Sequence, residues 1–375
     1  MACDPLVAMR PADGQLHFCF YGGSAASPRQ TPGSGLDREK NLMISPKTLL
    51  ALAFALVSLP GAAAALDEVT FGTNWKAQAE HGGFYQAVAT GIYEKHGLDV
   101  TIRPGGPQVN HRQLLLAGKI DFNMAGNMFA AFNNAENDIP TVMVAAIFQK
   151  EPQILMAHPG VGHDSLEDLV GKPILISNDA RLTFWAWLTA TYGYTDDQIR
   201  PYTFNSAPFL ADPQAVQQGY VTSEPFAVQR EGGFEPVVHL LADSGYDSYS
   251  TMIEAPRALV DENPDLVERF IEASIEGWYS YLYGDPAPAN ALIKADNPDM
   301  TDEQIAFSIE TLKSYGIVDS GDSEELGIGA MTEARWASFL QFAKGAEIYP
   351  ADLDIADVYS LDFVNKKVGM EMKGE

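Results

Sequence analysis

One short segment concentrates residues with recognisable chemistry. Over 74–85 the chain reads NWKAQAEHGGFY. It carries an indole at Trp75, a carboxylate at Glu80, an imidazole at His81, a glycine pair at Gly82 and Gly83, and a phenol at Tyr85. A Gly-Gly pair at a helix start leaves backbone N–H groups open to a ligand oxygen or ring nitrogen. Trp75 offers a flat stacking face. The plainer readings are a tight turn and an ordinary core aromatic, and both stay open. Asn127 follows Gly126 at a later strand-to-helix turn, and Gly105-Gly106-Pro107 sits at another. Asn178, with Trp185 seven residues on, offers an amide and a second aromatic wall. Glu224, in the run Ser-Glu-Pro-Phe, is a carboxylate placed to accept hydrogen bonds from an amino group, or else a surface side chain. These are groups that hold a ligand.

Reactive signatures are missing. There is no GxSxG, no HExxH and no GxGxxG after a strand. Gly171-Lys172 has the ending of a phosphate-binding loop, but Leu166 stands where its first glycine belongs and Pro173 where its Ser/Thr belongs. Beyond residue 65 the histidines are His81, His96, His111, His158, His163 and His239, and none pair at ligand spacing on one expected helix. Cys3 and Cys19 both lie before residue 43, which removes cysteine nucleophiles, CxxC redox chemistry and thiolate zinc sites from the rest. The expectation is a protein that is not an enzyme, with no cofactor and no metal. Lys plus Arg is 24 against 50 Asp plus Glu, a formal charge of −26. A surface this acidic repels phosphate and excludes nucleic acid as a partner.

The elements that must position these residues alternate. Strands are expected over 69–71, 98–102, 120–124 and 141–148. Helices are expected at Phe84, Val88 and Ile92, over 109–117 and over 128–136. Gly97 reads as a left-handed helix cap. Strands separated by single helices mean βαβ units and a mostly parallel sheet. A second block repeats the pattern, with strands over 154–157, 174–177, 202–204, 221–223 and 237–241 and helices over 165–170 and 182–192. The strand at 249–253 is expected to return to the first block. From Asn263, a cap followed by Pro264, the chain reads as helical, and Thr301 with Gln304 forms a capping box. The expected fold is α/β. It has two lobes joined by a two-crossing hinge, and a helical C-terminal tail. Lobe 1 comprises 66–155 and 248–375; lobe 2 comprises 156–247. A cleft between hinged lobes is where a small ligand sits.

The run TLLALAFALVSLPGAAAA over 48–65 follows Lys47 and is broken by Pro60-Gly61. About 12 uninterrupted apolar residues fall short of the ~20 that span a bilayer. The positive–apolar–small order is that of an export signal over 43–65, cleaved near Ala65. Residues 1–42 read as a mis-assigned start or a disordered extension. The expected product is periplasmic and monomeric.

The motifs carry a resemblance. NWKAQAEHGGFYQAVATGIYEKHGLDVTI over 74–102 resembles the opening of the thiamine-pyrimidine periplasmic-binding family, the solute receptors of ABC importers, related to those for alkanesulfonates, taurine and nitrate. LLLAGKIDFNMAG over 114–126 and SLEDLVGK over 165–172 are similar to that family's later units. The resemblance implies a fold of the periplasmic-binding-protein type II kind, a thiamine-precursor pyrimidine, or a similar flat heterocycle, as ligand and a membrane permease as partner. It also leaves anion and riboflavin receptors as alternatives. The pyrimidine branch includes fungal enzymes that build the pyrimidine, and His81 resembles the position of their histidine. Their Cys-rich iron motif is lacking here, so an exported pyrimidine-processing enzyme is the rival of another class.

Overall fold

The structure, a computed structural model, describes residues 65–106, 109–177, 179–203 and 205–374. The expected extension, all but the last residue of the expected export signal, and Asn178 lie outside the described residues.

Strands β1 (Asp67–Gly72), β2 (Leu98–Arg103), β3 (Phe122–Asn127) and β4 (Thr141–Phe148) alternate with α1 (Gly82–Ala89), α2 (Ile92–Lys95), α3 (His111–Leu116) and α4 (Met128–Glu136). The chain then crosses into a second sheet. There β5 (Gln153–Ala157), β6 (Ile174–Ile176), β7 (Ile199–Pro201), β8 (Val216–Tyr220) and β9 (Val237–Leu240) are interleaved with α5 (Phe184–Tyr192), α6 (Ala207–Ala211) and α7 (Glu224–Gly232). It crosses back as β10 (Ser250–Pro256). The remaining helices are α8 (Arg257–Glu262), α9 (Pro264–Tyr283), α10 (Ala287–Asp296), α11 (Asp302–Ser314), α12 (Asp322–Leu326) and α13 (Glu333–Gly345). The strand orders are β2-β1-β3-β10-β4 and β7-β6-β8-β5-β9.

This is the periplasmic-binding-protein fold, two α/β sheets with helices, and the chain passes between the sheets twice. Both sheets are mixed, not mostly parallel. β10 runs antiparallel to β3 and β4, and β5 antiparallel to β8 and β9. The reason lies in the connections. β5 and β10 are the strands by which the chain enters a sheet from the other one, so neither is laid down by a helical crossover from a strand of its own sheet.

Two strands sit elsewhere than the residue pattern suggests. The second sheet uses Ile199–Pro201 and Val216–Tyr220 in place of 202–204 and 221–223. β8 reads Val-Gln-Gln-Gly-Tyr, and its Gln217 is fully buried, donating to Ser206 Oγ at 3.0 Å. A polar residue inside the core erased the apolar signal. The first helix also ends early. Gly91, at φ +68°, separates α1 from α2.

The expected caps at Asn263 and Thr301 are present, and Thr332 caps α13, each side chain accepting a backbone N–H of the first turn. Thr301 makes only half of the expected box. The Gln304 amide instead donates to the Ser223 carbonyl of the second lobe at 3.3 Å. Ser308 Oγ donates to the Thr222 carbonyl at 2.7 Å, and Phe226 meets Phe307 at 5.3 Å. Helix α11 therefore braces the second lobe. No helix among the described residues is long and apolar enough to cross a membrane.

Helix α9 closes the first lobe. Its Phe270 stacks on Phe122 at 4.1 Å and meets Phe71 and Tyr93 at 5.5 Å. It approaches α1 closely because glycines face each other. A Cβ on Gly83 would lie 2.2 Å from the Trp278 ring, and one on Gly277 would lie 2.3 Å from the Gly83 carbonyl. Overpacking of this kind costs about 1–3 kcal/mol or more. Gly83→Ala is therefore expected to lower the free energy of unfolding by at least about 1–3 kcal/mol in a denaturant titration. Gly126→Ala, whose added carbon meets nothing within 4 Å, should leave it almost unchanged.

Candidate functional site

A cavity of about 650 Å³ lies between the two sheets. Its walls come from the carboxyl ends of β1, β3, β6 and β8 and from the crossing segments, at Glu151, Gln153 and Thr251. Ligands of open α/β sheets bind at such strand ends. Thr251 is β-branched yet sits at φ +48°, a strained conformation of the kind that clusters at functional sites.

The loop after β1 brings three of the expected residues to this cavity. Trp75 is half-buried on the wall, and its carbonyl accepts from Gly105 N–H and Thr73 Oγ1, each at 2.9 Å. Glu80 is 3% exposed. One of its oxygens accepts from the Thr222 hydroxyl across the cleft, and Oε2 has no protein partner. Burial pushes this carboxyl up to about 7, against the pull of Thr222, and the nearby Glu224 charge pushes the same way. His81 is buried, with Nε2 3.2 Å from Asn74 Oδ1 and Nδ1 without a partner. Burial lowers it to about 3, so the ring is neutral.

Asn127 and Glu224 also line the cavity, but their polar atoms are engaged. Asn127 caps α4 through Phe129 N–H at 3.2 Å and donates to Tyr246 Oη at 3.0 Å. Glu224 opens α7 and does not stand at a strand end. Its Oε2 accepts Tyr220 N–H at 2.7 Å, and Tyr202 bonds the same carboxyl. Burial raises it.

Four expected residues are not part of the wall. A Cβ on Gly82 would lie 2.0 Å from the Tyr281 ring, and Gly83 packs on Trp278. The glycine pair serves helix packing and not an open helix start. Tyr85 is 2% exposed and donates to Asp296 Oδ2 at 2.8 Å. Trp185 is 3% exposed, donates to Asp196 Oδ1 at 2.9 Å and packs edge-on to Tyr194. These two aromatics are core, with their polar ends satisfied locally.

Sequence reasoning missed Glu151, His111, Arg112 and Asn123. His111 Nδ1 lies 2.8 Å from the Thr73 carbonyl, which can only accept. Nδ1 therefore carries the proton. Nε2 has no partner, and burial lowers the ring's pKa. Arg112 is the only lysine or arginine on the wall among the described residues, and its Nε lies 3.4 Å from Glu254 Oε1. Glu254 also accepts from Asn123 Nδ2, Asn134 Nδ2 and Thr141 Oγ1, each at 2.7 Å. Glu151 is 2% exposed with Oε2 unpartnered. Burial pushes it up to about 8, against Asn127, Ser250 and the Gln153 N–H. One signal for it was available: polar residues in a crossing between lobes face the cleft. Among the described residues no group of three or more His, Cys, Asp or Glu side chains could hold a metal ion.

Two crossings and strand-end walls around a cleft are features of the periplasmic-binding-protein fold. The family described as NMT1/THI5 like matches residues 78–289, more than half of the chain, and the chain belongs to that family. The riboflavin-binding protein RibY of Chloroflexus aurantiacus is 24% identical over 317 residues, covering 81% of this chain and 88% of that protein. The periplasmic aliphatic sulphonate binding protein SsuA of Escherichia coli superposes with a TM-score of 0.56 at 15% identity, over 78% of this chain and 91% of that one. The desulfurization enzyme DSZB has a TM-score of 0.51 at 13% identity, over 81% and 99%. The fold is thus shared by binding proteins and by at least one enzyme.

The buried titrating groups set a stability profile. His81, lowered to about 3, contributes stability that is full above its unfolded value near 6.5 and lost as pH falls. Glu80 and Glu151, raised to about 7 and about 8, contribute stability that is full below about 4.5 and lost as pH rises through those values. Above pH 6.5 only the carboxyls act, each at up to about 1.4 kcal/mol per pH unit. Thermal unfolding of the empty protein should therefore show a Tm that falls from pH 6.5 to 8. Glu151→Gln should flatten that fall.

Proposed function

We propose that this chain is the solute-capturing component of an ABC importer and that its cleft takes a flat, uncharged nitrogen heterocycle. One observation carries the reading. The single cationic side chain on the described wall, Arg112, is matched by Glu254, while Glu80, Glu151 and Glu224 all present carboxyls to the same space. An anion there finds no uncommitted positive charge, and meets repulsion from each of these carboxyls as it ionises. A heterocycle with N–H or amino groups donates to these carboxyls instead, and its N–H groups draw them toward the ionised form, where such hydrogen bonds reach the ~1.5–3 kcal/mol class. Trp75 supplies the stacking face.

Within that class, the motif resemblance supports a thiamine-precursor aminopyrimidine. Riboflavin is the second reading. It is favoured by the similarity to a riboflavin-binding protein and by a cavity of about 650 Å³, inside the ~300–1,000 Å³ range of pockets for larger ligands. The rest of the reading follows: capture without chemistry, closure of 66–155 with 248–375 onto 156–247 about the two crossings, a monomer outside the cytoplasmic membrane, and a membrane permease as partner.

Calorimetry with an aminopyrimidine, riboflavin, taurine and nitrate tests the ligand class. Binding by one of the first two, and none by the anions, is the expected result. Micromolar binding of an anion alone overturns it, and turnover of a bound heterocycle favours an enzyme. Trp75→Ala should weaken heterocycle binding at least tenfold with the far-UV spectrum unchanged. Small-angle scattering should give a smaller radius of gyration at saturation than without ligand.

A further inference from the structure

We infer that Glu151 is a ligand-contacting residue: its Oε2 accepts a hydrogen bond from an N–H group of the bound heterocycle, fastening the ligand to the segment that joins the two sheets. The inference rests on the receptor reading and adds to it a contact residue and a required ligand group. Its ground is a contrast between two buried carboxyls. Glu254, fully buried, has three hydrogen-bond donors and an arginine around it. A carboxylate held that way is structural. Glu151 is buried as deeply, yet Oε2 has no hydrogen-bond partner and the residue lines the cavity. A buried polar atom left without a partner costs the fold about 1–3 kcal/mol, and more when charged. A residue serving only the fold has no use for that cost; one awaiting a ligand donor does.

The surroundings decide which partner fits. Asn127 at the end of β3, Ser250 at the start of β10 and the Gln153 N–H of β5 lie around the carboxyl and are uncharged. The titratable groups facing it are Tyr220 of β8 and Tyr246. Burial holds both phenols above their ordinary range, so both are neutral. Among the described residues no lysine, arginine or histidine pairs with Glu151. In the empty site the carboxyl therefore keeps a proton at neutral pH, and burial pushes it up to about 8. A ligand N–H favours the carboxylate, so seating the ligand releases that proton to solvent. The ligand keeps its own proton, and no bond in it is made or broken. Binding should then strengthen as pH rises from 6 to 8, by at most tenfold per unit for this one group. A ligand offering only carbonyl oxygens or bare ring nitrogens would need the protonated acid and would show the opposite slope.

The site joins ligand to hinge. Glu151 stands on the first crossing, and Ser250 beside it begins the strand of the second. A ligand held at Oε2 touches the place where both crossings meet.

The test is calorimetry on the full chain, with riboflavin and an aminopyrimidine as probes, in two buffers of different ionisation enthalpy. Wild type and the variants Glu151→Gln and Glu151→Asp are compared at pH 6, 7 and 8. Glu151→Gln is nearly isosteric and removes the charge without a cavity. It should bind at least tenfold more weakly, release about one proton fewer on binding and keep its melting temperature at pH 6. Glu151→Asp should lose affinity but retain proton release, which a purely structural role would not preserve. Wild-type binding that Glu151→Gln leaves within twofold, with proton release unchanged, overturns the assignment of Glu151 and leaves the receptor reading intact. Affinity that falls as pH rises also overturns it. Failure of wild type to bind either probe overturns the heterocycle reading, and this inference with it.

Discussion

The Glu254 carboxylate is the constraint around which the first lobe is arranged. It sits on β10, the strand inserted between β3 and β4, and is fully buried. Its partners come from four other elements: Asn123 on β3, Asn134 on α4, Thr141 on β4 and Arg112 on α3. A buried charge is tolerated only when it is paired and hydrogen-bonded, and loss of one partner of such a pair costs roughly 3–5 kcal/mol. This fixes register as well as stability. Glu254 stands opposite Asn123, and a slip of one residue would turn it to the other face of the sheet. The ladder with β4 shifts register between Ile253 and Glu254, at the buried carboxylate itself.

The cavity inherits its character from this arrangement. Asn123 and Arg112 belong both to the Glu254 network and to the cavity wall. The cation is thus held before any ligand arrives. Wall atoms buried without a hydrogen bond include Glu80 Oε2, Glu151 Oε2, the bare Nε2 of His111 and Nδ1 of His81, together with Arg112 Nε, which stands in ion-pair range of Glu254. The fold commits the wall's cation to one carboxylate and leaves carboxyl oxygens open to the cleft. That division, more than the aromatic content, separates this site from a cradle for anions.

Much of the fold was legible because its signals are local. Gly97 and the caps at Asn263 and Thr301 are single-residue events read by a few backbone groups. The return of the chain as β10 was legible from an apolar strand following the second lobe. The site was legible only in its first loop, where Trp75, Glu80 and His81 stand close in sequence. Gly82, Gly83, Tyr85 and Trp185 misled because spacing cannot say which side of a helix meets another helix. For the glycines, α9, nearly two hundred residues later, takes that side through Trp278 and Tyr281, while Asp296 holds Tyr85 and Asp196 holds Trp185. Asn123 and Arg112 were hidden for the converse reason. Their importance comes from Glu254, more than a hundred residues away in the chain. β8 went unread in its true place because it buries a glutamine.

The two crossings also set an order of assembly. All strands of the second sheet lie within one unbroken stretch, from β5 to β9. That sheet can form as soon as its own residues are available. The first sheet cannot, because β10 separates β3 from β4 and reaches the sheet only after the whole second lobe has been made. Until then β3 and β4 each present an unpaired edge, and Asn123, Asn134 and Thr141 have no carboxylate to bind. Open strand edges on an apolar chain are aggregation-prone. The sheet that begins first along the chain is therefore the one completed last, and a nascent chain halted before residue 250 would carry a complete second sheet, not yet braced by α11, beside an unfinished first.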